Sequence, residues 1–279
     1  MFADDLNVFQ KFDQKVGNEE IVRTMGVCRE RVHKWGRVNR VSFDAGKEHI
    51  VILHPIHGQG DPFKLLGCTI DCKLVMQKAL EKILAQMRPK IKAILRMRQY
   101  YDVKELISQF KTHIWGIMET HNGAIFHASS SILSRLDDIQ RQFLKEIGET
   151  ERSAFLDFNF APPLFRRNIG ILGVLHKRVI GKSHPIFQQL LPFQRDFFQE
   201  GRPGEHNKQL YGHMWEVKNQ RGLHDRSIFA MVHTYNNLPQ KVVDCASVSE
   251  FQTALTKIAR ANCEVGLPDW QYTFDCRRR

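Results

Sequence analysis

Between Leu74 and Gly148 apolar residues return at intervals of three and four, and that period limits the fold more than any other feature. Leu80, Ile83, Leu84, Met87, Ile91, Ile94 and Leu95 form a first stripe. Pro89 falls inside it, so the spacing predicts either a kink or two helices, the second starting near Pro89. Val103, Leu106, Ile107, Phe110, Ile114, Trp115 and Met118 predict a helix over about 103–120. Ile132, Leu133, Leu136, Ile139, Phe143, Leu144 and Ile147 predict another over 130–148, with Gly148 as its stop. A chain with this much helical periodicity belongs to a mostly α class.

The remainder adds a smaller β component. Leu6-Asn7-Val8-Phe9, His49-Ile50-Val51-Ile52-Leu53 and Phe63 to Asp71 read as strands. Gly58-Gln59-Gly60-Asp61-Pro62 is a turn cluster. Asn18 is a candidate cap for a helix that starts at Glu19 and runs to about Val38. Ile21, Val22, Met25, Cys28, Val32 and Trp35 are its expected buried face, with Arg29, Arg31, Lys34 and Arg37 solvated opposite. The expected fold class is therefore α+β, mostly α, with a small antiparallel sheet and a packed helix followed by helical regions.

Beyond residue 150, Ala161-Pro162-Pro163 leads into a helix over about 164–180, and 199–209 reads as an exposed linker. Short helices are expected over 222–263. Ser247 with Glu250 makes a capping box for the last of them. The closing Arg277-Arg278-Arg279 reads as a frayed tail, with phosphate contact as the alternative.

Charge narrows the partners. The net charge is +11, which favours an anionic partner, nucleic acid before a membrane surface. Arg88, Lys92 and Arg96 recur every four residues on one face of the first stripe's helix, with Lys90 and Arg98 beside them. A basic face of this kind either tracks a phosphate backbone or simply keeps the helix hydrated. Six cysteines are scattered without a C-x-x-C pair, so neither a zinc ribbon nor a disulfide framework is signalled. No apolar run is long enough to span a bilayer. The expected location is intracellular, in nucleus or cytoplasm, with no membrane partner.

Met1-Phe2-Ala3-Asp4-Asp5 places two carboxylates where a tight turn between strands is expected. Such a pair can ligate Mg²⁺, a hard cation that prefers oxygen, and it is equally what a solvated turn carries. Three stretches together resemble reverse transcriptases of non-long-terminal-repeat, LINE-type retrotransposons. Phe2-Ala3-Asp4-Asp5 resembles their F/Y-x-D-D box. Trp35 with Val38 to Lys47 is similar to their W-x(3)-N-x(3)-F-x(3)-K stretch. Phe63-Lys64-Leu65-Leu66-Gly67-Cys68-Thr69-Ile70-Asp71 is similar to their primer-grip strand. The resemblance covers about residues 1–148. Tyr235-Asn236-Asn237-Leu238-Pro239 and the Ser247-Val248 to Phe251 stretch extend it loosely.

The resemblance implies a partial polymerase palm over 1–73, a helical thumb over 74–150 and a helical tail over 151–279. It implies RNA-directed DNA polymerase chemistry with RNA template and DNA primer as partners. Asp4 and Asp5 would hold Mg²⁺, Lys47 would protonate the leaving pyrophosphate, and Leu66 and Gly67 would grip the primer end. Arg88, Lys90, Lys92, Arg96 and Arg98 would touch the template–primer backbone. The family's third aspartate precedes the box and is expected to be missing here, together with the fingers. The chain alone is then expected not to synthesise DNA. A non-catalytic nucleic-acid-binding module and a decayed fragment are the alternatives.

Overall fold

A computed structural model describes residues 6–13, 15–194, 206–212 and 221–278. The described chain is mostly helical, with one two-stranded antiparallel sheet. It divides into two compact units, Met1–Leu74 and Val75–Arg279.

The first unit holds helix α1 (Asn18–Val38) and the hairpin of β1 (Phe63–Leu65) and β2 (Cys68–Ile70). Phe63 pairs with Ile70, Lys64 with Thr69 and Leu65 with Cys68. The single strand expected over 63–71 is thus two strands, because Leu66 and Gly67 turn the chain back. Both have positive φ, 48° and 80°, as a type I′ turn requires. Glycine adopts that conformation freely, whereas leucine bears a cost of ~1–2 kcal/mol.

Two further strand expectations are corrected. His49 to Leu53 contributes only an isolated bridge, Ile52 with Gln59. Leu6 to Phe9 is not a strand, and Phe9 is 71% exposed. β-propensity measures fit to a half-buried pleated surface, and neither run has a neighbouring strand to supply one among the described residues.

α1 begins one residue before the expected start, at Asn18, with Gly17 in the capping position. Asn18 does not cap it. Its amide instead donates to the His57 carbonyl (3.1 Å) and to Gln59 Oε1 (3.0 Å), tying the helix to the 54–59 turn. The expected apolar face of α1 is only partly covered. Trp35 is 56% exposed and Val22 41%, and Gly36 is the helix's buried residue. A Cβ at Gly36 would lie 2.7 Å from both the Phe43 ring and the Val41 carbonyl oxygen, so the approach there needs glycine.

Among the described residues the second unit is built of helices, with one isolated antiparallel bridge between Phe193 and Leu210. Its elements are α2 (Gln77–Arg96), α3 (Val103–Phe110), α4 (Gly116–Glu119), α5 (Asn122–Ile125), α6 (Ser130–Glu146) and α7 (Glu151–Phe158). α8 (Pro163–Val179), α9 (Ile186–Leu190), α10 (Arg221–His224), α11 (Ile228–Asn236), α12 (Gln240–Val243) and α13 (Val248–Glu264) follow. Pro89 neither splits nor ends α2, which runs unbroken from Gln77 to Arg96. The ring removes one donor, and burial of Leu80, Ile83, Leu84, Met87, Ile91 and Ile94 along the opposite face holds the helix through it. A π-helical turn, Lys111–Trp115, joins α3 to α4 within the stretch expected as one helix.

Local chemistry sets several ends. Asp102 and Glu105 form a capping box at the start of α3, with Asp102 Oδ1 accepting from Glu105 N–H at 2.7 Å. Gly148, at φ 78°, follows α6 as expected. Ser247 Oγ accepts from Glu250 N–H at 3.2 Å, while the Glu250 carboxylate accepts from Ala246 N–H rather than closing the box on Ser247.

A large core gathers α7, α8, α11 and α13 with the 3₁₀ turn Trp270–Tyr272. Phe155 stacks on Trp270 with centroids 5.0 Å apart, and His176 on Phe251 at 4.1 Å. Phe110, Phe143 and Phe160 interlock between α3, α6 and the loop before α8. His206 and Gln209, in the stretch read as an exposed linker, are 4% and 9% exposed. The closing arginines are not a frayed tail either. Arg277 donates to the Ala128 carbonyl at 2.9 Å and to that of Phe126, and its guanidinium lies 4.8 Å from the Phe126 ring centroid. Arg278 pairs with Asp269 at 2.6 Å. Arg279 lies outside the described residues.

Candidate nucleic-acid interface

α2 presents two chemically opposite faces. Its apolar stripe is buried, and Arg88, Lys90, Lys92 and Arg96 are all exposed on the remaining surface. None of these four has an ion-pair partner among the described residues. Arg88, Lys92 and Arg96 stand four residues apart, so about 6 Å of helix axis separates successive charges. Arg98, just beyond the helix, is exposed but committed: its Nη1 lies 2.8 Å from Glu146 Oε2 on α6. That pair is half in water and contributes little stability. Lys78 and Lys82 are exposed nearer the start of α2. Neither belongs to the Arg88, Lys92 and Arg96 series. Their signal was present, since Lys78, Lys82 and Lys90 fall on one four-residue series.

The remaining candidate residues sit in the first unit. Lys47 ends the 3₁₀ turn Ala45–Lys47. Its side chain is 84% exposed, with Nζ 3.5 Å from Asp44 Oδ2. Asp44 organises this turn, since its carboxylate also accepts from Gly46 N–H at 3.0 Å. Leu66 and Gly67 form the hairpin turn described above, with Leu66 65% exposed. Asp4 and Asp5 lie outside the described residues. The structure therefore brings Arg88, Lys90, Lys92 and Arg96 together on α2, and Leu66 with Gly67 on one turn.

Metal-ligating side chains are dispersed. Among the described residues no group of three His, Cys, Asp or Glu side chains could hold a metal ion. His54 and His57 stack with centroids 4.9 Å apart, but His54 Nδ1 is already accepting from the backbone N–H groups of Ile56 and His57. Partial burial, and then the neighbouring His57 charge, hold His54 below the usual imidazole pKa. All six cysteines are free thiols. Among the described residues no helix is long and apolar enough to cross a membrane.

Elsewhere in the second unit a cavity of about 180 Å³ is lined by Leu133, Asp137, Arg167, Asn168, Tyr272 and Arg277 among others. Arg167, 4% exposed, pairs there with Asp137 at 2.9 Å. The two charges compensate each other, while Asp137 Oδ1, Arg167 Nη1 and Asn168 Nδ2 are buried without a hydrogen-bond partner among the described residues. Comparisons with protein-family models, curated proteins and solved structures find no match.

Proposed function

We propose that this chain is related to the LINE-type reverse transcriptases, and that the exposed face of α2 binds the phosphate backbone of an RNA–DNA duplex. In this reading residues 1–73 are a partial palm, 74–150 the thumb and 151–279 a helical tail. The observation that carries it is the division of α2 into a buried apolar stripe and an unpaired basic face of Arg88, Lys90, Lys92 and Arg96. A net charge of +11 acts in the same direction, by raising the local concentration of polyanions. The order of the three resembled stretches supplies the ancestry.

Leu66 and Gly67 would meet the primer end, where an exposed turn with one glycine lets another backbone approach closely. A bound Mg²⁺ would polarise phosphate oxygens and offset the charge that develops in nucleotidyl transfer. Asp4 and Asp5 would be its donors. They lie outside the described residues.

Binding to an RNA–DNA hybrid, titrated against salt, tests the proposal. Affinity is expected to fall steeply as salt rises. The triple change Arg88→Ala, Lys92→Ala, Arg96→Ala is expected to flatten the log–log slope by roughly 2–3, near one per lost phosphate contact. A flat wild-type response would remove the reading. A second reading, a binding module without chemistry, is favoured by the basic face standing on its own helix. Primer extension on an RNA template with Mg²⁺ separates the two. Extension abolished by Asp4→Ala marks an enzyme, whereas salt-dependent binding without extension marks the module.

A further inference from the structure

The basic series on α2 does not stop at a charge. Arg88, Lys92 and Arg96 are followed, again four residues on, by Tyr100. The helix ends at Arg96, and Tyr100 stands in the turn behind it. Its side chain is 78% exposed, and among the described residues neither its ring nor its hydroxyl has a partner.

This turn is firmly held. The Met97 carbonyl accepts from Tyr100 N–H at 2.9 Å and from Tyr101 N–H at 3.2 Å. Asp102, next in the chain, is the capping residue of α3. Arg98, two residues before Tyr100, is paired across to Glu146 on α6. A large aromatic ring is thus kept in water by a backbone that is fixed on both sides. Tyrosine usually buries 150–250 Å² of surface when a partner covers it, so an uncovered ring beside an unpaired basic row is a ready stacking surface. Single-strand binding sites combine these two elements: cations along the backbone and an aromatic face for a base.

We propose that Tyr100 stacks on an unpaired nucleotide that flanks the duplex held by the α2 row, so that the site reads the junction between duplex and single strand. The proposal rests on the phosphate-binding role given above to α2 and adds a base contact to it. The cations hold the strand without regard to pairing. The ring needs a free base face: bases inside the duplex have none, the terminal pair has one, and an unpaired nucleotide can offer its own without unstacking the helix.

The test compares an RNA–DNA hybrid with blunt ends, the same hybrid extended at one end or the other by a short single strand, and the extension carrying abasic sites. Wild-type protein is expected to prefer one of the extended hybrids, roughly tenfold, over the blunt and abasic forms. Tyr100→Ala should erase that preference while leaving the blunt-hybrid affinity and its salt slope unchanged, and Tyr100→Phe should keep it. Matching thermal melts guard against a folding defect, which is not expected at a side chain this exposed. No preference in the wild type, or a preference that survives Tyr100→Ala, would overturn the inference. A flat salt response in the wild type would overturn the phosphate reading and this one with it. A normal salt response without a Tyr100 effect removes this one alone.

Discussion

The two compact units use similar sequence patterns and reach different degrees of burial. α1 in the first unit and α6 in the second both carry apolar residues at helical spacing. On α6, Leu133, Leu136, Phe143 and Leu144 are at most 3% exposed. On α1, Trp35 and Val22 stay exposed, as do Leu53, Ile56 and Leu66 elsewhere in that unit. Among the described residues, the buried apolar side chain of the first unit is Cys68, and the others belong to the second. The lesson concerns layers. A helix buries its stripe only against another apolar face. α6 has α2, α7 and α8 beside it. α1 has a three-residue-stranded hairpin and loops in its unit, and a two-stranded hairpin is at best marginal by itself.

Large-to-small substitutions should expose this contrast most strongly. Phe143→Ala removes a ring packed against Phe110 and Phe160, and is expected to cost about 3–5 kcal/mol. Trp35→Ala, the larger truncation, is expected to cost less, about 1–2 kcal/mol, because more than half of the residue is solvated. Urea denaturation of both variants checks the pair, and equal losses would break the comparison.

A smaller effect tests the one tight contact on α1. Gly36→Ala should destabilise the first unit by about 1–3 kcal/mol, since the added carbon has no room between Phe43 and Val41. Hydrogen exchange along α1 would report it. Gly26, on the same helix with open space around it, should accept alanine without loss.

Acid should act on the second unit, and more gently. Burial lowers the pKa of His176, with the Lys208 charge adding to it and the bond to the Cys245 carbonyl opposing. Burial also lowers His127, helped by Arg226 and Arg277. Both folded-state values lie below 6.5, so the unfolded chain takes up protons first as pH falls. Stability is then full above that value and is lost as pH drops through the folded pKa values. Glu151 works in the other direction, because burial raises its carboxyl pKa above 4.5, and it offsets part of the loss at the acid end. Melting temperature is expected to fall by roughly a few degrees between pH 7.5 and 5.5. His176→Gln should reduce that difference.

Much of the helical plan was readable beforehand, and its exceptions have causes. The stop at Gly148 and the Ser247 cap follow from backbone freedom and a short hydroxyl side chain, which are local properties. The π turn at Lys111–Trp115 left no trace in the apolar spacing around it. The hairpin was concealed because Leu66 is a poor residue for positive φ, so only Gly67 signalled a turn. His49 to Leu53 has a strand's composition, yet pairing depends on a partner that composition does not specify. Of the candidate site, the basic row on α2 was legible from its spacing, and exposure left that row free of ion-pair partners. Tyr100 continues the same spacing but was invisible as a site, because its meaning depends on being uncovered.

Periodicity, charge and capping residues determined by themselves that this would be a largely helical, basic protein with one helix divided between oil and water. Those traits are short-ranged, set within a few residues of each position. Tertiary structure alone decided which stripes found a neighbour, that Pro89 would sit inside an unbroken helix, and that Arg277 would dock on the Phe126 and Ala128 carbonyls. Each of these depends on groups distant in the chain, and local pattern carries no record of what folding brings alongside.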